Sequence, residues 1–159
     1  MSRGGRNIEK REKQNDPLYK NALVGKFTNR LMKSGKKTVA QKVVYHAFHI
    51  LQEKGHDPVR VFEQAIDNVG PRLEVRARRI GGAAYQVPSE VRGERRISLS
   101  IRWILAATLK RSSKEFPTFS EKLAAELLDA SQNQGEAIRK RDTTLRMAEA
   151  NKAFAHFRW

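Results

Sequence analysis

"RLEVRARRIGGAAYQVPSEVRGERR", residues 72–96, holds seven arginines, three glutamates and no lysine. Apolar and polar residues alternate on both sides of Gly81-Gly82. Leu73, Val75 and Ala77 interleave with Arg72, Glu74, Arg76 and Arg78; Tyr85, Val87 and Val91 interleave with Gln86, Pro88, Glu90 and Arg92. A period of two with a glycine break predicts a two-stranded ribbon over about 72–92. The apolar residues are odd-numbered on both arms. A loop of three or five residues, with Ala77 opposite Tyr85 and Val75 opposite Val87, would therefore keep one apolar face. A two-residue Gly-Gly loop would set Ala77 opposite Gln86 and mix the faces. Pro88 is admissible because each strand of a two-stranded ribbon is an edge. A lone hairpin of this length is marginal in water. Lysine and glutamate would solubilise such an edge equally well, so the choice of arginine points to bidentate contact with phosphate or base edges.

The flanking sequence reads as helix. Asp16-Pro17 is a cap-and-first-turn signal, after which Tyr19, Leu23, Phe27 and Leu31 recur at fourfold spacing until Gly35. A second helix is predicted from near Thr38 to Gly55, and a third from Asp57-Pro58 to Gly70-Pro71. A fourth carries Ile97, Ile101, Ile104/Leu105 and Thr108. Thr118 and Glu121 form a capping box for a fifth, carrying Leu123, Leu127 and Leu128 and ended by Gly135. A sixth runs from about Glu136 towards Ala150. The expected fold is mainly α: a six-helix single domain over residues 16–159, with the hairpin protruding between the third and fourth helices. Residues 1–15 have almost no apolar content and read as a basic, flexible N-terminal arm.

Charge narrows the function. A net +15 over 159 residues makes self-repulsion a cost, which a polyanionic partner relieves. The excess is local: residues 20–42 hold seven basic side chains and no acid, whereas residues 115–136 hold five acids against Lys122. An evenly solubilised surface would intersperse both signs. The absence of cysteine excludes disulfides, thiolate metal sites and a cysteine nucleophile. No apolar run approaches the ~20 residues of a membrane span, so a soluble intracellular protein is expected.

Catalytic chemistry is not legible. His46 and His49 stand at i, i+3 without a third metal ligand, and no metal or cofactor is expected. Gly81-Gly82 lacks the context of a phosphate-binding loop. Glu126 and Asp129, among alanines and leucines, read as a solvated helix face. Trp103 suits core packing more readily than stacking on a base. The aromatic ending "AFAHFRW" fits either a tail folded back on its own domain or one docked on a partner.

The motifs "GKKTVAQKVVYHA", "RRIGGAAYQVPSEVR", "IRWILAA" and "RMAEANKAFAHFRW" together resemble the bacterial and organellar small-subunit ribosomal protein seven family. The similarity runs from about Asp16 to Trp159, departing at "RSSKEFPTFSEK", which looks a few residues longer than usual. The resemblance implies a non-enzymatic protein of the cytoplasmic or organellar ribosome that binds small-subunit ribosomal RNA and organises assembly of the head. It implies a hairpin bordering the exit-site tRNA and the messenger path, and neighbours that include small-subunit proteins eleven and nine. Transferred onto matching positions, the ribosomal RNA contacts would be Lys26, Arg30, Lys33, Lys36, Lys37, Arg72, Arg76, Arg78, Arg79, Arg92, Arg95, Arg96, Arg102, Trp103, Arg111, Arg139, Lys140 and Arg146. Residues near tRNA and messenger would be Arg78, Arg79, Gly81, Gly82, Tyr85, Gln86, Lys152 and His156. The alternative from charge and ribbon is an architectural nucleic-acid-binding protein with a β-ribbon arm.

Overall fold

Asp16-Pro17 begins a turn rather than a helix. In the computed structural model, which describes residues 15–157, the Asp16 carboxylate is 3% exposed and accepts from the backbone N–H groups of Leu18 and Tyr19. It also accepts the Tyr45 hydroxyl at 3.0 Å. Burial, and then that hydrogen bond, push the Tyr45 phenol up to about 12. Having turned the chain, Asp16 leaves helix initiation to Asn21, whose side chain accepts from Leu23 N–H at 2.8 Å. Helix α1 therefore spans Ala22–Leu31, later than the fourfold spacing from Tyr19 suggested. The N-terminal arm, apart from Asn15, lies outside the described residues.

The remaining helices follow their sequence signals closely. They are α2 (Lys37–Glu53), α3 (Pro58–Val69), α4 (Gly93–Lys110), α5 (Phe119–Ser131) and α6 (Glu136–Ala150). Strands β1 (Leu73–Ile80) and β2 (Ala83–Glu90) form an antiparallel hairpin between α3 and α4, and a 3₁₀ helix covers Lys152–Phe157. Asp57 caps α3 through Val59 and Arg60 N–H, and the Thr118–Glu121 capping box is formed on α5. Gly135 has a different role from the expected one. Helix α5 stops at Ser131, and Gly135, at φ 93°, is the N-cap of α6.

Helix α5 lies at the centre, packed against α2, α3, α4 and α6. Its Leu123, Ala124, Leu127 and Ala130 are buried with Phe48, Phe62, Ile66, Ile101 and Ile104 in one core. Phe27–Phe62 and Tyr19–Phe48 meet edge to face at 5.3 and 5.0 Å, tying the opening turn and α1 to α2 and α3. The solvated face expected at Glu126 and Asp129 is not present. Glu126 is fully buried; it accepts from Arg111 Nε at 2.7 Å and from Ala137 N–H at 3.1 Å, while Asp129 takes the same guanidinium. The capping geometry of α6 thus depends on a charge inside the domain, which apolar periodicity does not reveal.

The hairpin register also differs from expectation. Gly81 and Gly82, at φ 56° and 89°, form a two-residue turn, with Ala77 opposite Gln86 and Arg78 opposite Tyr85. Positive φ at both turn residues matches the right-handed twist of the strands and is readily adopted by glycine. The mixed faces are tolerated because the ribbon has no single buried face. Glu74, Val87 and Pro88 are buried towards its base, α6 packs against both strands, and the 3₁₀ helix packs on β2 at Tyr85. The arm from Arg76 to Arg79 is exposed.

Close packing sets one glycine. A β-carbon at Gly70 would lie 2.5 Å from Arg96 Nε and 2.7 Å from its Cγ, whereas one at Gly93 would meet nothing within 4 Å. Gly70→Ala should therefore destabilise by about 1–3 kcal/mol. Gly93→Ala, at the first position of α4, should be neutral or slightly stabilising. Thermal denaturation followed by circular dichroism distinguishes them; equal midpoints would contradict the close approach.

Candidate nucleic-acid interface

Helix α4 has a groove on each flank. On the α1 side, Lys26, Arg92, Gly93, Glu94, Arg95 and Ser98 line an open cleft of about 560 Å³. Lys26, Asn29, Arg30, Ser98 and Ile101 line the next cleft, and Arg30, Lys33 and Lys36 rim an apolar groove at the start of α2. The acid-free segment around α1 and the basic start of α4 thus meet in one run of grooves, although they are more than fifty residues apart in sequence. Arg92, the N-cap of α4, makes no side-chain capping bond. The first-turn N–H groups beside it carry the positive end of the helix dipole, which favours an anion.

Glu74 anchors the hairpin to this surface. Its side chain is 9% exposed and pairs with Arg95 at 2.8 Å and with Arg76, both of whose side chains are about half exposed. Burial opposes the charge on Glu74. The guanidiniums of Arg95 and Arg76 outweigh burial and hold its carboxyl below the usual range, while Glu74 raises Arg95 in return. The pair joins β1 to α4 and orders two arginine side chains without removing them from solvent. Sequence alternation had placed Glu74 among outward polar residues; its partner twenty-one positions away is invisible to local spacing.

Arg30, Lys33, Lys36, Lys37, Arg72, Arg78, Arg79, Arg92, Arg102, Lys140 and Arg146 are exposed, as a phosphate-contacting set requires, and Lys26 is partly so. Two expected contacts have internal roles. Arg96 donates to the carbonyls of Gly70 at 3.1 Å and Asp67 at 2.8 Å, holding α4 against the end of α3. Arg111 is committed to Glu126 and Asp129, with the Phe116 ring 5.7 Å away, so its charge is offset inside the domain. Arg139 is exposed but bonded to Glu136 at 2.7 Å. Trp103 packs against the core and also lines a second groove, with Lys110, Arg139 and Lys140. Lys110 was missed by the sequence reading, although it stands next to Arg111 at the end of α4.

The tip and the C-terminal tail form another surface. Tyr85 lies 5.5 Å from the Phe154 ring and 5.2 Å from that of Phe157, so the tail folds back on its own hairpin as far as it is described. Lys152 and His156 are exposed on this 3₁₀ helix, near the Arg78–Tyr85 pair, while Gly81, Gly82 and Gln86 are exposed on the arm. His46 and His49 are exposed on α2, with His49 beside Glu53 at 3.3 Å. No cluster able to hold a metal occurs among the described residues, and no helix there is long and apolar enough to cross a membrane.

Several separated basic surfaces, held rigid by internal ion pairs on a helical core, suit a protein that matches the shape of folded RNA. The comparisons give that class a family. A family model described as ribosomal protein S7p/S5e matches residues 2–152. The small ribosomal subunit protein uS7 of Caldanaerobacter subterraneus subsp. tengcongensis is 56% identical over 153 residues, 96% of each chain. Its counterpart in Sorangium cellulosum is 54% identical over 155 residues, 97% of each, and that of a Thermoanaerobacter species is 54% identical over the full length of both. The chain belongs to the ribosomal protein S7p/S5e family: it is a structural component of the small ribosomal subunit and binds ribosomal RNA.

The Glu74 pairing carries a pH signature. Its folded value lies below the ordinary 4.5, so its stabilisation is complete above that pH and is lost as pH falls through the depressed folded value. Glu74→Gln should lower stability near neutral pH by about 1 kcal/mol, allowing for the half-exposed arginines. The deficit should shrink as pH falls below 4.5. A pH-independent deficit in thermal or urea denaturation would rule the ion pair out as its cause.

Proposed function

We propose that this chain organises the head of the small subunit by clamping a multi-helix junction of its ribosomal RNA. The run of basic grooves from Lys36 through Arg30 and Lys26 to Arg92 and Arg95 carries this reading. Arginine and lysine there grip phosphates, and the fixed spacing between surfaces selects the junction whose phosphates match it. The hairpin tip, with Arg78 and Arg79, and the adjoining tail with Lys152 and His156 extend towards the exit-site tRNA and the messenger path. Small-subunit proteins eleven and nine are its neighbours. The role is non-enzymatic and is exercised on the cytoplasmic ribosome.

Filter binding to a transcribed head fragment tests the clamp. Log affinity should fall with log salt at a slope of several units, each phosphate contact supplying roughly 0.7–0.9. Replacing Lys33, Lys36 and Lys37 by glutamate should weaken binding and flatten that slope by about 2 units. Arg78→Ala with Arg79→Ala should cost the fragment little, yet alter tRNA retention at the exit site of assembled ribosomes. A flat slope for the parent protein would overturn the clamp. Unchanged exit-site retention in the arm variant would overturn the role of the tip.

A further inference from the structure

Trp103 occupies an unusual setting for a core tryptophan. It packs against the helical core and yet lines an open groove of about 330 Å³ between α4 and α6. Trp103, Ala106, Ala107 and Lys110 follow one another at i, i+3, i+4 and i+7 on α4; Glu136, Arg139, Lys140 and Thr143 do so on α6. Each helix therefore turns one continuous face to the groove. The two alanines keep the floor low beside the indole. Lys110, Arg139 and Lys140 bring positive charge around it, and the one acid lining the groove, Glu136, is engaged with Arg139 at 2.7 Å. The Thr143 hydroxyl donates to the Arg139 carbonyl at 2.8 Å.

Core packing explains why the indole is anchored, but not why three cations surround its accessible part. A planar aromatic surface ringed by cationic donors complements a ligand with a flat π-face and flanking negative charge. We propose that this groove receives one unpaired nucleotide of the bound RNA, its base stacked on Trp103 and its adjacent phosphates held by Lys110 and Lys140. The inference rests on the reading that the chain binds small-subunit ribosomal RNA, and adds that one of its surfaces recognises a base outside a helix. A fully paired duplex keeps its bases stacked within itself and cannot fill the groove. An acidic protein segment would satisfy the cations but not the indole.

Fluorescence tests this directly, because the chain has two tryptophans and Trp159→Phe leaves Trp103 as the reporter. In that background the transcribed head fragment should quench emission, whereas a fully paired RNA duplex of equal length, bound through phosphates alone, should not. Trp103→Leu should reduce affinity for the head fragment by about five- to hundredfold without changing the salt slope, since a stack but no cation is lost. Trp103→Phe should recover most of the affinity. Lys110→Gln and Lys140→Gln should each flatten the slope by roughly 0.7. Equal quenching by the duplex, or by a polyglutamate peptide, would overturn the assignment. So would parent-like affinity in Trp103→Leu, with ribosomal RNA binding itself intact; a parent that fails to bind the fragment would overturn that underlying reading instead. If Trp103→Leu does not fold, the quenching contrast and the Phe variant decide.

Discussion

The enclosure of α5 by four other helices is the constraint on which the rest of the structure depends. Leu123, Leu127 and Ala130 are fully buried, and the small residues Ala124 and Ala125 let neighbouring backbones approach closely. A chain with net charge +15 needs such a dense apolar centre, because its surface contributes repulsion. Once α5 is enclosed, α2 and α3 lie on it, α4 and α6 follow, and the grooves beside α4 are fixed by helices that have little freedom to shift.

The acids of this chain are placed with economy. Among the described residues Asp16, Glu74 and Glu126 are buried, and each organises a junction between elements. Asp16 turns the chain into α1 and binds Tyr45 of α2; Glu126 joins Arg111 to the start of α6; Glu74 joins β1 to the start of α4. Removing one partner of such a buried pair leaves an uncompensated charge, so these contacts enforce one arrangement of the elements more than they add net stability. Internal contacts also sort the arginines. Arg111 and Arg96 are committed to the fold, whereas Arg78, Arg79 and Arg92 remain at the surface where a polyanion can reach them.

The hairpin shows how rigidity and reach can be combined. Its base is buried, α6 packs against both strands, and further out Tyr85 packs on the rings of Phe154 and Phe157 from the C-terminal 3₁₀ helix. Its outer half carries arginine into solvent. A two-stranded ribbon on its own would be marginal. Here α6 and the C-terminal 3₁₀ helix support it.

Period-two alternation around Gly81-Gly82, helical periodicity with caps at Asp57 and Thr118, and the uneven distribution of charge sufficed to determine six helices, one hairpin and a polyanionic partner. These are local properties, set by backbone propensity and by residues a few positions apart. What they could not supply depends on distant pairs. The buried state of Glu126 requires Arg111, just past the end of α4, the anchoring of Glu74 requires Arg95, and the capture of Arg96 requires the carbonyls at the end of α3. The hairpin register escaped for a related reason: alternation assumes one buried face, and the ribbon is instead buried at its base and exposed along its arm. Lys26 meeting Arg92, and Trp103 meeting Lys140, are likewise products of helix packing. The sequence determined which residues could bind RNA; the tertiary structure decided which of them are free to do so, because an ion pair inside the domain and a phosphate outside it compete for the same guanidinium.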